Sequence, residues 1–352
     1  MAAVQNVVIE AEADDYENDS GIEGSIATST SSITSSIMKY RVENGRTYHA
    51  YKDGAYAFPN DEIENDRLDL QHHQLTLTFG GKLFTAPIPK EKQLHNVLDV
   101  GTGTGIWAID FADEHPETKV IGVDLSPIQP SYVPPNLVFQ IDDLESNWTF
   151  SEKFDFIFSR MMIGSFADVP RFIQQSFDNL TPGGYLEMVD LSFPVKLNDG
   201  EFPPDSAFLK WYFYFVWDAM SAPANDKRST LFMEASAKAG RLANCAQFYK
   251  QQLLDAGFVD VVETKYIWPQ NRWPKDKKLK EIGLYSVIQN LASLAKVSIG
   301  LWQLENLSGG LEAISVGLFT RVLGWSKPEL DVFLAQVRNE LKDTKIHAYF
   351  DM

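Results

Sequence analysis

The chain has 352 residues, 44% of them hydrophobic, which suits one large α/β domain with additions and does not require two separately folded ones. Its formal net charge of -17 argues against a nucleic-acid substrate, because gripping a phosphate backbone relies on Lys and Arg. A single cysteine, Cys245, excludes an intrachain disulfide and fits a reducing compartment, cytoplasmic or nuclear, although no basic cluster of nuclear-import type is present.

The first residues lack a basic segment followed by a long apolar one, so no signal peptide is expected. No apolar run reaches the roughly eighteen residues of a membrane span. Residues 1–36 are acidic and then rich in Ser, Thr and Ile without helical or strand period, and are expected to be disordered. Residues 37–93 read as a mixed helical cover. Tyr40, Tyr48, His49, Tyr51, Tyr56 and Phe58 crowd its first part, and an amphipathic stretch runs from Asp61 to Phe79. His72, His73 and His115 read as surface residues on helices.

A core follows over 94–194. Asn96-Val-Leu-Asp99-Val is a short apolar strand that runs into Gly101, Thr102, Gly103 and Gly105 before a helix starting near Ile106. Glycines at such a turn let the backbone approach a ligand closely, and the helix aims its free N–H groups at the same place. A dinucleotide turn wants G-x-G-x-x-G, but Ile106 fills the place of the third glycine, which weakens a pyrophosphate reading. The second strand, Lys119 to Asp124, ends in an acid nineteen residues after Gly105, where a carboxylate can accept both hydroxyls of a ribose. A third strand from Leu137 ends in Asp142 and Asp143, one of which is expected to be merely solvated. Phe154–Phe158 is the fourth strand, Pro182-Gly183-Gly184 a turn and Tyr185–Asp190 the fifth strand.

Residues 195–352 add an insertion at Lys196–Asn225, with the aromatic run Trp211–Trp217 as a buried helix turn or pocket wall. A helix over Gly240–Ala256 is stopped by Gly257, and Phe258–Ile267 alternates as a sixth strand. Helices are predicted over 276–297, 307–323 and 328–342, the last opened by a Ser326/Glu329 capping box.

The strand order with its terminal acids resembles a Rossmann-like S-adenosylmethionine-dependent methyltransferase. Beyond the core, Tyr40–Gly54, Pro59–Glu62, Asp66–Asp69, Val97–Asp110, Asp124–Pro130, Trp273–Asp276, Leu318–Arg321, Gly324–Ser326 and Ile346–Tyr349 resemble the fungal LaeA-like methyltransferases. The resemblance covers residues from about 38 to about 350. It implies an α/β, Rossmann-like class I sheet over 37–352, with a helical cover from the N-terminal and C-terminal segments. S-adenosyl-L-methionine is the implied cofactor. It carries a sulfonium between an adenosine and an amino acid and has no phosphates, so carboxylates suit it.

In that reading Asp99 faces the amino-acid end across the glycine turn, and Asp124, with Leu125 beside it, faces the ribose. Asp143 faces the adenine amino group, and the Leu144 N–H a ring nitrogen. Tyr48 is a further cofactor or substrate contact. Arg160 either holds a carboxylate of the ligand or caps local carbonyls. Family members divide between enzymes that methylate a small-molecule metabolite of a biosynthetic cluster and regulators that work with velvet-type partner proteins. An oxygen nucleophile of high pKa would need a general base, for which His49 and His347 are candidates, unless each is simply packed and hydrogen-bonded. Many relatives carry His where this chain has Phe158, near the expected methyl group. They also continue beyond Ile346–Tyr349 into a last strand between strands five and six. Here Lys345–Phe350 either serves as a shortened strand or leaves that slot unfilled, with backbone groups unpaired.

Overall fold

The computed structural model describes residues 40–212, 231–275 and 299–352. The expected disordered head, the Trp211–Trp217 run beyond Tyr212 and the helix expected over 276–297 lie outside the described residues.

At the start, β1 (Arg41–Glu43) and β2 (Arg46–Tyr48) form an antiparallel hairpin across Asn44-Gly45, both of which have positive φ, 51° and 76°. That is the type I′ geometry whose twist matches paired strands, and Asn-Gly is its commonest sequence. Helix α1 (Glu62–Thr78) begins where the Asp61 side chain accepts the Glu64 N–H at 3.1 Å. Arg46 of β2 grips the same carboxylate through Nε and through Nη2 at 2.7 Å, tying hairpin to helix.

The expected amphipathic face of α1 is mostly polar instead: Glu64, Gln71, His72 and Gln74 are buried along with Leu75. Glu64, His72 and Gln74 find polar partners there: Arg67 holds Glu64 and Asp110 bonds His72 Nε2. Gln74 donates to Gln303 at 2.9 Å and Arg67 to Asn306 at 2.7 Å, both on α7 (Ile299–Arg321). His72, expected on the surface, is 6% exposed and bonded to Asp110 at 2.9 Å.

The centre is a five-stranded parallel sheet of β3 (Asn96–Val100), β4 (Lys119–Asp124), β5 (Leu137–Ile141), β6 (Phe154–Arg160) and β7 (Leu180–Val189), in the order β5-β4-β3-β6-β7. Helix α2 (Ile106–Glu114) joins β3 to β4, and α3 (Val169–Asn179) joins β6 to β7. Strand alternation divides the core between the two faces. Val97, Val120, Phe156 and Phe158 pack with Trp107 and Phe111 of α2 and with the C-terminal helices. Leu98, Val100, Ile121, Val123 and Ile157 pack with Phe166, Phe172 and Ile173 on the other side. This is the α/β Rossmann-like arrangement expected.

The segments after β7 differ from expectation. Beyond Asp190 and Leu191 the chain enters β8 (Ser192–Leu197), an unexpected strand across the boundary between the core and the expected insertion. Short helices α4 (Ala207–Tyr212) and α5 (Leu231–Lys238) come next. The helix expected over 240–256 is a 3₁₀ turn at Cys245–Phe248 running into α6 (Tyr249–Asp255). Phe258–Ile267 is not a strand: Val259 and Val262 are 82% and 77% exposed, and regular pairing starts only at β9 (Ile267–Pro269). Helix α7 starts earlier than expected, and α8 (Lys327–Leu341) opens with the Ser326/Glu329 capping box. Strand β10 (Ala348–Asp351) lies antiparallel between β8 and β9 and supplies the short last strand. Among the described residues no helix is long and apolar enough to cross a membrane.

Candidate active site

A cleft with about 1080 Å³ of empty space, part of it open to solvent, lies at the carboxyl ends of β3, β4, β5 and β6. Open α/β sheets bind ligands at this edge, because the strands end there and the following loops can diverge. One wall comes from the sheet and carries Gly101, Thr102, Gly103, Asp124, Leu125, Asp143, Leu144 and Arg160. The other comes from the N-terminal cover through Tyr56, Asn60, Glu64, Leu68 and Gln71.

The glycine turn is shaped for close approach. At Gly101, with φ +66°, an added Cβ would lie 2.2 Å from Met162 Sδ, and Met162 itself lines the cleft. Gly105 stands behind the turn and does not line the cleft. It is the left-handed N-cap of α2, φ 82°, where a Cβ would lie 2.3 Å from Phe139 Cζ. Its role is close packing of helix on strand, the role reserved for the third glycine of a dinucleotide turn. Asp99 is likewise behind the turn, 2% exposed and bonded to the Thr102 hydroxyl. Burial pushes its carboxyl up to about 6 despite the Thr102 bond and the Arg160 charge.

Asp124 ends β4 and is held by backbone donors: Gly103 N–H to Oδ2 at 2.8 Å and Ser126 N–H to Oδ1 at 2.8 Å. Burial raises it to about 6, against the pull of those N–H groups. Each oxygen keeps a lone pair for a hydroxyl of a ligand. Asp143 after β5 accepts the Glu145 N–H at 2.9 Å and the Ser146 hydroxyl at 3.1 Å, and Lys52 Nζ lies 3.4 Å away. Asp142 lines the cleft as well, and its Oδ1 accepts the Asp143 N–H at 2.7 Å.

Arg160, the last residue of β6, is the one Lys or Arg among the described lining residues. It makes no hydrogen bond or ion pair among the described residues, and burial pulls its guanidinium down to about 10 although Asp99, Asp110 and Asp69 hold its charge. A lone buried guanidinium facing a cleft suits a carboxylate, which it can bind with two parallel bonds.

The structure does not bring Tyr48, His49 or His347 to the cleft lining. The Tyr48 ring is 1% exposed, with the Arg41 and Arg321 guanidinium carbons 5.3 and 4.4 Å from its centroid. His49 is 1% exposed with Nδ1 on the Tyr51 carbonyl, and burial lowers its pKa. His347 pairs with Asp199 and stacks on Trp273 with centroids 5.0 Å apart. Phe158 does not line the cleft: it is fully buried, stacked on Trp107 with ring centroids 4.0 Å apart. Strand period explains this, since Arg160 two residues later is the first on that face to emerge at the edge.

The cover residues Tyr56, Glu64 and Gln71 are those missed by reading the core alone. Burial drives the Tyr56 hydroxyl well above its usual value, and Glu64 and Asp124 add to the effect. Glu64 is held by Arg67, Nη2 to Oε1 at 2.7 Å. The signal for them lay in the Pro59–Glu62 and Asp66–Asp69 motifs, which bracket Glu64. A second polar group backs the loop after β6. Tyr249 donates to Asp190 Oδ2 at 2.8 Å, Asp190 Oδ1 accepts the Ile163 N–H at 3.1 Å, and burial lifts Asp190 to about 7.

Asp124, Asp142 and Asp143 put carboxylates on the lining, Arg160 is the one Lys or Arg among the described lining residues, and such a lining suits a ligand with hydroxyl and amino groups better than one with phosphates. No cluster of three or more potential metal ligands occurs among the described residues.

Comparison with known proteins agrees. Residues 70–258 match the family described as "Methyltransferase domain". Methyltransferase pytC of Aspergillus terreus is 38% identical over 326 residues, 92% of this chain and 89% of that protein. Secondary metabolism regulator LAE1 of Cochliobolus heterostrophus is 36% identical over 313 residues, 88% of this chain and 91% of that protein. Probable methyltransferase tdiE of Emericella nidulans is 31% identical over 321 residues, 90% and 88% of the two chains. The chain belongs to the fungal LaeA-like family of S-adenosylmethionine-dependent methyltransferases.

Proposed function

We propose that this protein methylates a small molecule of fungal secondary metabolism. The observation that carries the reading is the cleft itself, in which the Gly101–Gly103 turn, Asp124, Asp143 and Arg160 share one wall. S-adenosylmethionine supplies the chemistry, an electrophilic methyl on a sulfonium. Asp124 would hold the ribose hydroxyls, Asp143 and the Leu144 N–H the adenine, and Arg160 the amino-acid carboxylate. Asp99 acts through Thr102 and shapes the glycine turn.

The cover closes the other side and excludes water, so the chain contributes chiefly by aligning acceptor and methyl. Among the described residues no histidine lines the cleft, and neither His49 nor His347 is assigned as a base. The free Cys245 thiol suits a reducing compartment, the cytoplasm or the nucleus.

Calorimetry with S-adenosylhomocysteine, followed by incubation with labelled S-adenosylmethionine and a fungal metabolite extract, tests the reading. Expected are micromolar binding and label in a small organic product. Absence of binding at millimolar ligand sinks it.

The 36% identity to a secondary metabolism regulator favours a second reading, a regulatory subunit with velvet-type protein partners. Recovery of such a partner by pull-down, with no labelled metabolite, would select it.

A further inference from the structure

Asn60 lines the cleft with a buried side-chain amide whose two polar atoms are both without a partner among the described residues. Its backbone is fixed: the N–H donates to the Thr47 carbonyl at 2.8 Å, Pro59 precedes it, and Asp61 after it caps α1 and is gripped by Arg46. Its side chain is 6% exposed and lines the cleft, yet neither Nδ2 nor Oδ1 has a hydrogen-bond partner among the described residues. Other amides of the fold are well partnered. Asn136 Nδ2 reaches three carbonyls, and Asn271 Nδ2 two. Of the described side-chain amides that keep both atoms buried and unpartnered, Asn60 and Gln270, only Asn60 faces the cleft. Buried polar groups are nearly always paired, so an unpaired amide held rigidly at a binding cleft marks the place of a ligand group.

We propose that Asn60 is a specificity-determining residue that hydrogen-bonds the nucleoside half of the methyl donor, Nδ2 donating and Oδ1 accepting. The inference rests on the donor-site reading given above. Two contacts of the cover place it on the nucleoside side. Tyr40 OH donates to the Pro127 carbonyl at 3.1 Å, and Lys52 Nζ lies 3.4 Å from Asp143. The cover that carries Asn60 is thus tied to the loops after β4 and β5, the loops that follow Asp124 and carry Asp143. An asparagine amide also matches the chemistry there, since an adenine edge offers a donor beside an acceptor and each ribose hydroxyl is both.

The test compares the full wild-type chain with Asn60→Ala and Asn60→Ser, using calorimetry with S-adenosylhomocysteine and with adenosine, and thermal unfolding with and without ligand. Expected is a loss of about tenfold in affinity for both ligands in Asn60→Ala, the value of two modest hydrogen bonds. The ligand-free variant should melt no lower than wild type, because the change removes unpaired polar atoms, while the rise in melting temperature on adding ligand shrinks. A drop in ligand-free melting with unchanged affinity would make Asn60 a structural residue and overturn the inference. Equal S-adenosylhomocysteine affinity with slower methyl transfer would assign it to the acceptor and also overturn it. If wild type itself fails to bind S-adenosylhomocysteine, the donor-site reading falls and takes this inference with it.

Discussion

Replacing Gly105 by Ala perturbs the cofactor turn at the point where it packs on the sheet. The residue has φ +82°, and an added Cβ would lie 2.3 Å from Phe139 Cζ and 2.8 Å from Cε1. The same ring already fills the space over Gly122 of β4, where an added Cβ would lie 2.7 Å from it, so it is packed between two glycines. A left-handed backbone costs an alanine about 1–2 kcal/mol, and overpacking a closed site about 1–3 kcal/mol more. Together Gly105→Ala should lose about 2–5 kcal/mol of unfolding free energy, read by urea denaturation. Phe139→Leu removes the ring end that clashes and leaves the backbone strain untouched. In Gly105→Ala/Phe139→Leu the packing part should therefore be recovered, a favourable coupling of about 1–3 kcal/mol. If the two changes are additive to within about 0.5 kcal/mol, Gly105 is there for its φ alone and the packing argument is wrong.

Binding of S-adenosylhomocysteine should depend on pH through Asp124, whose carboxyl is raised to about 6. Affinity is expected to climb between pH 5 and about pH 7 as the carboxylate forms, then level off, and a flat calorimetric profile would remove Asp124 from the ribose contact. Asp99 makes the opposite contribution to stability. Its folded value of about 6 lies above the unfolded value near 3.8, so its stabilisation is complete below about pH 4 and is lost as pH rises through about 6. The loss is on the order of 3 kcal/mol. Asp99→Asn should flatten that part of the stability curve, and an unchanged slope would count against the burial argument. Phe350 of β10 is 1% exposed, and Phe350→Ala should lose about 3–5 kcal/mol of unfolding free energy. A loss below about 1 kcal/mol would mean that β10 does not knit β8 to β9.

The sheet wall of the cleft was legible because its signals are local. An apolar strand ending in Asp99, glycines at fixed spacing and a second strand ending in Asp124 all fall within twenty-six residues, and the backbone joins them directly. What failed depends on partners distant in sequence. Phe258–Ile267 alternates Val with Asp and Glu as an exposed strand would, but no neighbouring strand is there to pair with most of it, so alternation alone did not make one. The stretch Asp61–Phe79 reads as amphipathic, but α1 buries polar side chains because Gln303 and Asn306, more than two hundred residues on, answer Gln74 and Arg67. His347 stands in a recognisable motif, yet its neighbours are Trp273 and Asp199. The hairpin was missed although Asn44-Gly45 announces it, because three-residue strands carrying Arg and Thr give little period to read.

The two walls of the cleft come from separate stretches of chain, 56–71 for the cover and 101–166 for the sheet. Changes can therefore accumulate in one stretch while the other is held constant. Substitutions at Tyr56 or Gln71 would reshape the cover's wall while leaving the residues of the sheet wall, Asp124 and the Gly101 turn among them, unchanged in sequence. A lineage built on this plan can vary one wall of its cleft through a short stretch that precedes the first core strand, with Asn60 held constant.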